Sequence, residues 1–152
     1  MKRIIYTIAF ATLLWSCKPA QTASELTKDE INVSIDLNTV KDDKVMVTVT
    51  TPKIKSEKIT YHIPKIIPGT YSEDDYGKYI DNFKAFDAKG NPLLVGKIDD
   101  NSWTVNDAKK LAKLTYWVND TYDNESTHEI FSPAGTNIEE GKNFMVNTHA
   151  FV

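Results

Sequence analysis

The 152-residue chain has one cysteine, three histidines and no excess of basic residues. A lone cysteine forms no internal disulfide, and with so few histidines there is little material for a zinc site made of those two residue types alone. With 18 Lys+Arg against 21 Asp+Glu the net charge is −3, so no broad basic field exists to hold a phosphate backbone, and a dedicated nucleic-acid binder is excluded. No segment carries a sustained 3.6-residue apolar stripe, and there is no internal repeat or low-complexity tract. No apolar run reaches the roughly 20 residues that span a bilayer. What is present, 41% hydrophobic and 26% charged residues, is the composition of one globular domain able to bury a core.

The longest apolar run, from Ile4 to Trp15, follows Lys2 and Arg3 and closes at Ser16 and Cys17. That is the order and size of a secretory signal. Leu14-Trp15-Ser16-Cys17 resembles the bacterial lipobox, in which a cysteine after a small residue is lipidated and becomes the mature N-terminus. Cys17 is therefore the expected lipidation site; the plainer alternative is a lone cysteine behind an ordinary signal peptide. The expected division is a signal peptide over 1–16, a tether over 17–28 and a folded domain over 29–152. Residues 17–152 carry 16 Lys+Arg and 21 Asp+Glu, a net charge of −5. The expected location is the bacterial cell envelope, lipid-anchored and facing the periplasm or the cell surface.

Beyond the tether the chain is written in strands. Ile31, Val33, Ile35 and Leu37 alternate with polar residues, and Val45, Val47 and Val49 repeat the pattern. A period of two predicts strands with one buried face. Ile59, Tyr61 and Ile63 predict a third strand, stopped by Pro64, which cannot donate to a ladder. Phe83 to Asp87 leads through the turn Lys89-Gly90-Asn91-Pro92 into a strand from Leu93 to Ile98. Trp103 to Val105, Leu111 to Val118 and Phe144 to Val152 complete about eight short strands, with Asn119 to Thr127 as a polar loop. The short polar connections favour an all-β antiparallel sandwich over a parallel sheet with crossover helices. Phe144 to Val152 reads as strand to its last residue, so the domain is expected to be cut at its C-terminal end.

The densest unusual segment is Tyr61-His62-Ile63-Pro64-Lys65-Ile66-Ile67-Pro68-Gly69-Thr70-Tyr71, followed by Tyr79 to Gly90 and by Lys97-Ile98-Asp99-Asp100-Asn101-Ser102-Trp103-Thr104-Val105. Together these resemble the N-terminal domain of the glycyl aminopeptidase family, zinc metallopeptidases of the gluzincin group that usually also carry a PDZ domain. The likeness runs from about Ile31 to Val152. It rests on a strand ending in Pro-x-x-x-Pro-Gly-x-Tyr, here Pro64, Pro68, Gly69 and Tyr71, and on a Trp following a lysine and an acidic turn. Where the family often has an aromatic residue, this sequence has Ile66 or Ile67. The resemblance implies a β-rich domain that packs on a thermolysin-like catalytic domain and helps wall its cleft. Its implied partners are the catalytic and PDZ domains of the parent protein and, through the lipid anchor, the bacterial membrane.

The family's zinc motif is His-Glu-x-x-His on a helix. Here His128-Glu129 is followed by Ser132, so the motif is absent; no cofactor is expected in this chain, and zinc is implied only for a catalytic domain it lacks. His62, His128 and His149 could in principle gather around a metal, but scattered histidines are more commonly ordinary surface residues. Asp74-Asp75, Asp99-Asp100 and Glu139-Glu140 read as solvated turns rather than acid–base pairs. No nucleophile elbow or Cys-His pair is available, so no catalytic residue is expected. The candidate contact residues are Pro68, Gly69, Thr70 and Tyr71. Pro fixes φ and Gly accepts positive φ, which suits the centre of a type II turn projecting Tyr71; the alternative is that Tyr71 plugs the end of the sandwich. Trp103, Tyr116 and Trp117 read as core or sheet-face residues. Two functions follow: the non-catalytic N-terminal domain of a membrane-anchored zinc aminopeptidase, or a stand-alone β-sandwich lipoprotein binding a carbohydrate, protein or peptide.

Overall fold

The computed structural model describes residues 29–122 and 130–152. The expected signal peptide and tether, Cys17 and His128 lie outside the described residues. Ten strands run in chain order: β1 (Asn32–Val40), β2 (Lys44–Thr50), β3 (Lys58–His62), β4 (Ile80–Asp87), β5 (Pro92–Leu93), β6 (Val95–Asp99), β7 (Ser102–Asn106), β8 (Leu111–Asn119), β9 (Asn137–Glu139) and β10 (Asn143–Met145). They form a five-stranded sheet ordered β1-β2-β8-β4-β5, a three-stranded sheet ordered β3-β7-β6, and a β9–β10 hairpin. Every pairing is antiparallel. The all-β sandwich expected from the alternating pattern is the observed architecture.

The larger sheets meet through aromatic rings. Phe83 of β4 stacks on Trp103 of β7 at 4.9 Å between centroids and on Tyr116 of β8 at 5.5 Å. Tyr61 of β3 leans on both Phe83 and Tyr116. Such pairs add about 0.5–1.5 kcal/mol each beyond the area they bury. Tyr116 donates its hydroxyl hydrogen to the Phe151 carbonyl, which leaves the hydroxyl oxygen to accept from Tyr61 at 2.8 Å. Burial pushes both phenol groups up from their ordinary value, so both stay neutral donors. Around them Val45, Val47, Val49, Val105, Leu114 and Val118 are all buried.

Phe83 reaches the core because β4 carries an extra residue. Ile80 and Ala85 are both buried although five positions separate them, which a strict period of two forbids. The register against β8 slips between Asp81 and Lys84, and Asn82 sits there at φ 53°. Asn tolerates this left-handed conformation better than most residues, so it takes the bulge that turns Phe83 inward.

Three sequence expectations need correction. β1 has the predicted alternation but no buried residue, and Ile31, Val33 and Leu37 are exposed; β1 is the far edge of the wider sheet, and three strands opposite do not cover five. Leu93 to Ile98 is not one strand. Leu93 pairs with Ala85 in the five-stranded sheet while Val95 pairs with Val105 in the three-stranded one, so the chain changes sheets at Leu94, as sandwich corners do. Phe144 to Val152 is strand only to Met145. The Asn147 amide then bonds the Pro133 and Gly135 carbonyls, Thr148–Ala150 forms a 3-10 turn, and Phe151 is fully buried. These last residues close on the core rather than continuing a ladder.

The registers define two ends. At one, β1 begins beside the end of β2 and the start of β8, and β3 begins beside the end of β7. There Thr51 N–H donates to the Ala112 carbonyl at 3.1 Å just past the β2–β8 ladder, and Ala108 N–H donates to the Glu57 carbonyl at 2.8 Å just past the β3–β7 ladder. At the other, β3 runs into the segment 63–79, which returns to β4.

Candidate functional site

The segment after β3 is a loop with a fixed base. Ile63 is buried and its N–H donates to the Asn101 carbonyl at 2.9 Å. The Lys65 carbonyl accepts from the backbone N–H groups of Asp74 and Asp75 at 3.1 and 3.0 Å, closing the loop neck. Across that neck Lys65 and Glu73 form an exposed ion pair, which holds the Lys65 ammonium above its ordinary value.

Below the neck lies a polar knot. The Asp74 carboxylate is 1% exposed and accepts from Ser72 Oγ at 2.7 Å and Tyr76 Oη at 3.1 Å. The expectation that Asp74-Asp75 is merely solvated is therefore wrong for Asp74: its neighbours fold over it and supply hydroxyl donors in place of water. Burial and the Asp74 charge push the Tyr76 phenol well up. Asp75 is partly covered, at φ 52°, and accepts from Asn101 Nδ2 at 2.7 Å and Lys78 Nζ at 3.1 Å. Those partners, the Asn101 amide foremost, hold its carboxyl below the ordinary range. The Asn101 Oδ1 accepts from Gly77 N–H at 2.9 Å, fixing the 3-10 turn Tyr76–Tyr79. Gly77 is required by contact: a Cβ there would lie 2.1 Å from the Asp100 carbonyl oxygen.

Above the neck is the expected turn. Thr70 N–H donates to the Ile67 carbonyl at 3.3 Å, with Pro68 and Gly69 as the central residues and Gly69 at φ 102°. This matches the type II geometry that Pro-Gly predicts. Thr70 Oγ1 donates to the same carbonyl at 2.9 Å. Tyr71 follows at φ 56° and is 101% exposed. It does not plug the sandwich. A bulky residue in the left-handed region is strained, and here the strain turns the ring into solvent.

The turn can offer an aromatic ring and free backbone groups to another surface. It holds no nucleophile paired with a base. His62 Nδ1 lies 3.0 Å from Ser102 Oγ, and His149 Nε2 lies 3.0 Å from the Ala134 carbonyl with its ring edge-on to Tyr76; each has its own partner and the two are on separate elements. Among the described residues no three His, Cys, Asp or Glu side chains gather into a set that could hold a metal ion, so no step is derived through zinc here. Trp103 and Tyr116 are buried and Trp117 is half-buried on the sheet. Sequence reasoning missed Asn101, Gly77 and Asp74. Asn101 and Gly77 meet across 24 residues, where no local pattern reports them, while Asp74 has its hydroxyl donors two residues to either side and is buried only once the loop folds over it.

A crystal structure of an aminopeptidase N family protein from Idiomarina loihiensis is similar, with a TM-score of 0.57 at 22% identity over 72% of this chain. At that identity the likeness is one of fold, and the match covers 17% of the other protein's chain. No curated protein matches the sequence. The family is settled by residues 32–152, which match the Peptidase M61 N-terminal domain: the chain belongs to that family. This bears out the resemblance to the N-terminal domain of glycyl aminopeptidase-like proteins, and makes the chain a peptidase-associated domain.

Proposed function

We propose that this chain is the non-catalytic N-terminal domain of a membrane-anchored zinc aminopeptidase, packing on the catalytic domain and helping to wall its cleft. The observation that carries the reading is Tyr71: a fully exposed aromatic ring, on strained backbone, above a neck fixed by buried polar bonds. Aromatic rings so presented are common anchors at interfaces. Pro68, Gly69 and Thr70 serve by fixing the turn. The zinc chemistry belongs to the catalytic domain, and Cys17 supplies the lipid anchor to the cell envelope.

Two measurements test this. Chelator-sensitive aminopeptidase activity is expected from the longest polypeptide the gene encodes and not from the 152-residue chain with added zinc. In that longer polypeptide Tyr71→Ala is expected to raise KM or loosen the domain contact. A gene that stops after Val152 would favour the stand-alone binder, and an active longer polypeptide indifferent to Tyr71→Ala would remove the proposed contact. Anchoring is tested separately, since Cys17→Ala should move the protein from the detergent phase to the aqueous one.

A further inference from the structure

We infer that the end of the sandwich where β1 begins is a docking face for an anionic phospholipid surface. The segment joining β2 to β3 carries Lys53 and Lys55, with Lys58 opening β3, and the segment joining β7 to β8 carries Lys109 and Lys110, with Lys113 near the start of β8. All six are exposed. The two segments are bonded together through Ala108 N–H and the Glu57 carbonyl, so the lysines share one end of the molecule. Ile54 packs on the core, and its neighbours Lys53 and Lys55 therefore project outward.

The carboxylates on these two connections are Glu57 and Asp107, and both are already ion-paired, to Lys109 and Lys110. Among the described residues Lys53, Lys55 and Lys58 have no ion pair, and Lys113 lies over the Phe86 ring at 5.2 Å. Asp29 and Glu30 flank the face, and Asp87 with Lys89 in the adjoining turn cancel. Two apolar side chains stand at the same end: Ile31, 66% exposed, and Leu94 at the corner between sheets, 71% exposed. Lysines around isolated apolar side chains suit the boundary between headgroups and acyl chains.

The opposite end has the reverse sign. Asp42, Asp43, Glu73, Asp75, Asp99 and Asp100 lie there; Glu73, Asp75 and Asp100 are paired with Lys65, Lys78 and Lys97, and Lys41 offsets one more, so the acids remain in excess. The ends are separated by the length of β8, about 30 Å at ~3.3 Å per residue, while charges are screened over about 8 Å at physiological salt. A surface touching the lysine end does not feel the acidic one. The orientation also rests on the proposed lipidation: Cys17 is 15 residues before Asn32, and a span of that length reaches at most about 50 Å, entering the fold at the lysine end.

The test uses residues 18–152, which keep every described strand and lack the anchor, so this inference and the lipidation of Cys17 can fail separately. Co-sedimentation is measured with vesicles of phosphatidylglycerol and phosphatidylcholine, and of phosphatidylcholine alone. Each lysine near an anionic surface multiplies partitioning by about fivefold. Binding only to the anionic vesicles is expected, weakening with salt and falling at least tenfold in K53Q/K55Q/K113Q. The control K41Q/K65Q/K78Q, with the same charge change at the other end, should shift it less than twofold. Melting curves confirm that both variants fold. Absence of binding to anionic vesicles at low salt, equal binding to neutral ones, or equal loss in the two triple variants would overturn the inference.

Discussion

The connections at the lysine end are held by backbone hydrogen bonds and exposed ion pairs, with Ile54 and Ala108 as their apolar plugs. Those at the loop end are held by side chains that have left water: Asp74, Asn101 and Ser102 are all buried there. The difference separates two ways of building a surface. A face that attracts by charge needs only lysines kept apart from carboxylates, and their exact positions are free. A loop that presents one ring in one direction needs its base fixed, and buried polar bonds fix it because each is costly to leave unmade.

Matched substitutions at the two ends can break that contrast. Gly77→Ala should have the largest effect, about 3 kcal/mol or more in urea unfolding, because the new Cβ meets backbone that must move. Its counterpart Gly90→Ala, in the turn between β4 and β5, meets nothing within 4 Å and has only φ +84° against it, so about 1 kcal/mol is expected. Equal losses would mean the loop end is no more tightly built.

Asn101→Ala should come next, at about 2–3 kcal/mol, since it strands the buried Gly77 N–H and removes a donor from Asp75. It also carries a pH signature. The Asp75 carboxyl is depressed in the folded state, chiefly by Asn101, so its contribution is present above the unfolded value of about 3.9 and is lost as pH falls through the lower folded value. Melts between about pH 5 and pH 3 should show the parent losing stability faster than Asn101→Ala, so that the gap narrows. A constant gap would place the effect of Asn101 elsewhere.

Gly69→Ala should cost about 1 kcal/mol from its φ of +102° alone, while Tyr71→Ala should change the melt of the isolated chain by less than about 0.5 kcal/mol. At the lysine end, Lys109→Gln should be equally silent, since exposed ion pairs are worth about 0–1 kcal/mol. A large loss from it would show that this end too is held by specific side chains.

How far the sequence can be read follows from the same division. The alternation through Val45, Val47 and Val49 located β2 with the correct inward face, and Pro68-Gly69 defined its turn, because both signals are local. Alternation reports which side a residue faces, not whether anything stands opposite; β1 shows the difference. Nor does it report a change of sheet, so β5 and β6 read as one strand until their partners are known. Asp74 looked solvated for a related reason: its cover comes from the fold of the loop over Tyr76, and an acidic pair on a turn gives no sign of that.

The order of the larger sheet bears on how the molecule is made. β8 lies between β2 and β4, yet it comes more than 60 residues after β2 in the chain. During synthesis the β1–β2 hairpin must wait, with one edge of β2 unpaired, until β8 has emerged, and β4 waits for the same strand. Closing loops of that length precedes any gain from pairing, so folding on the slow side, milliseconds to seconds, is expected. In that interval Val45, Val47 and Val49 form an uncovered apolar face beside the unpaired backbone edge of β2. Whatever escorts the nascent chain has this hairpin to shield, and a lesion that weakens β8 should appear first as aggregation rather than as a lower melting point.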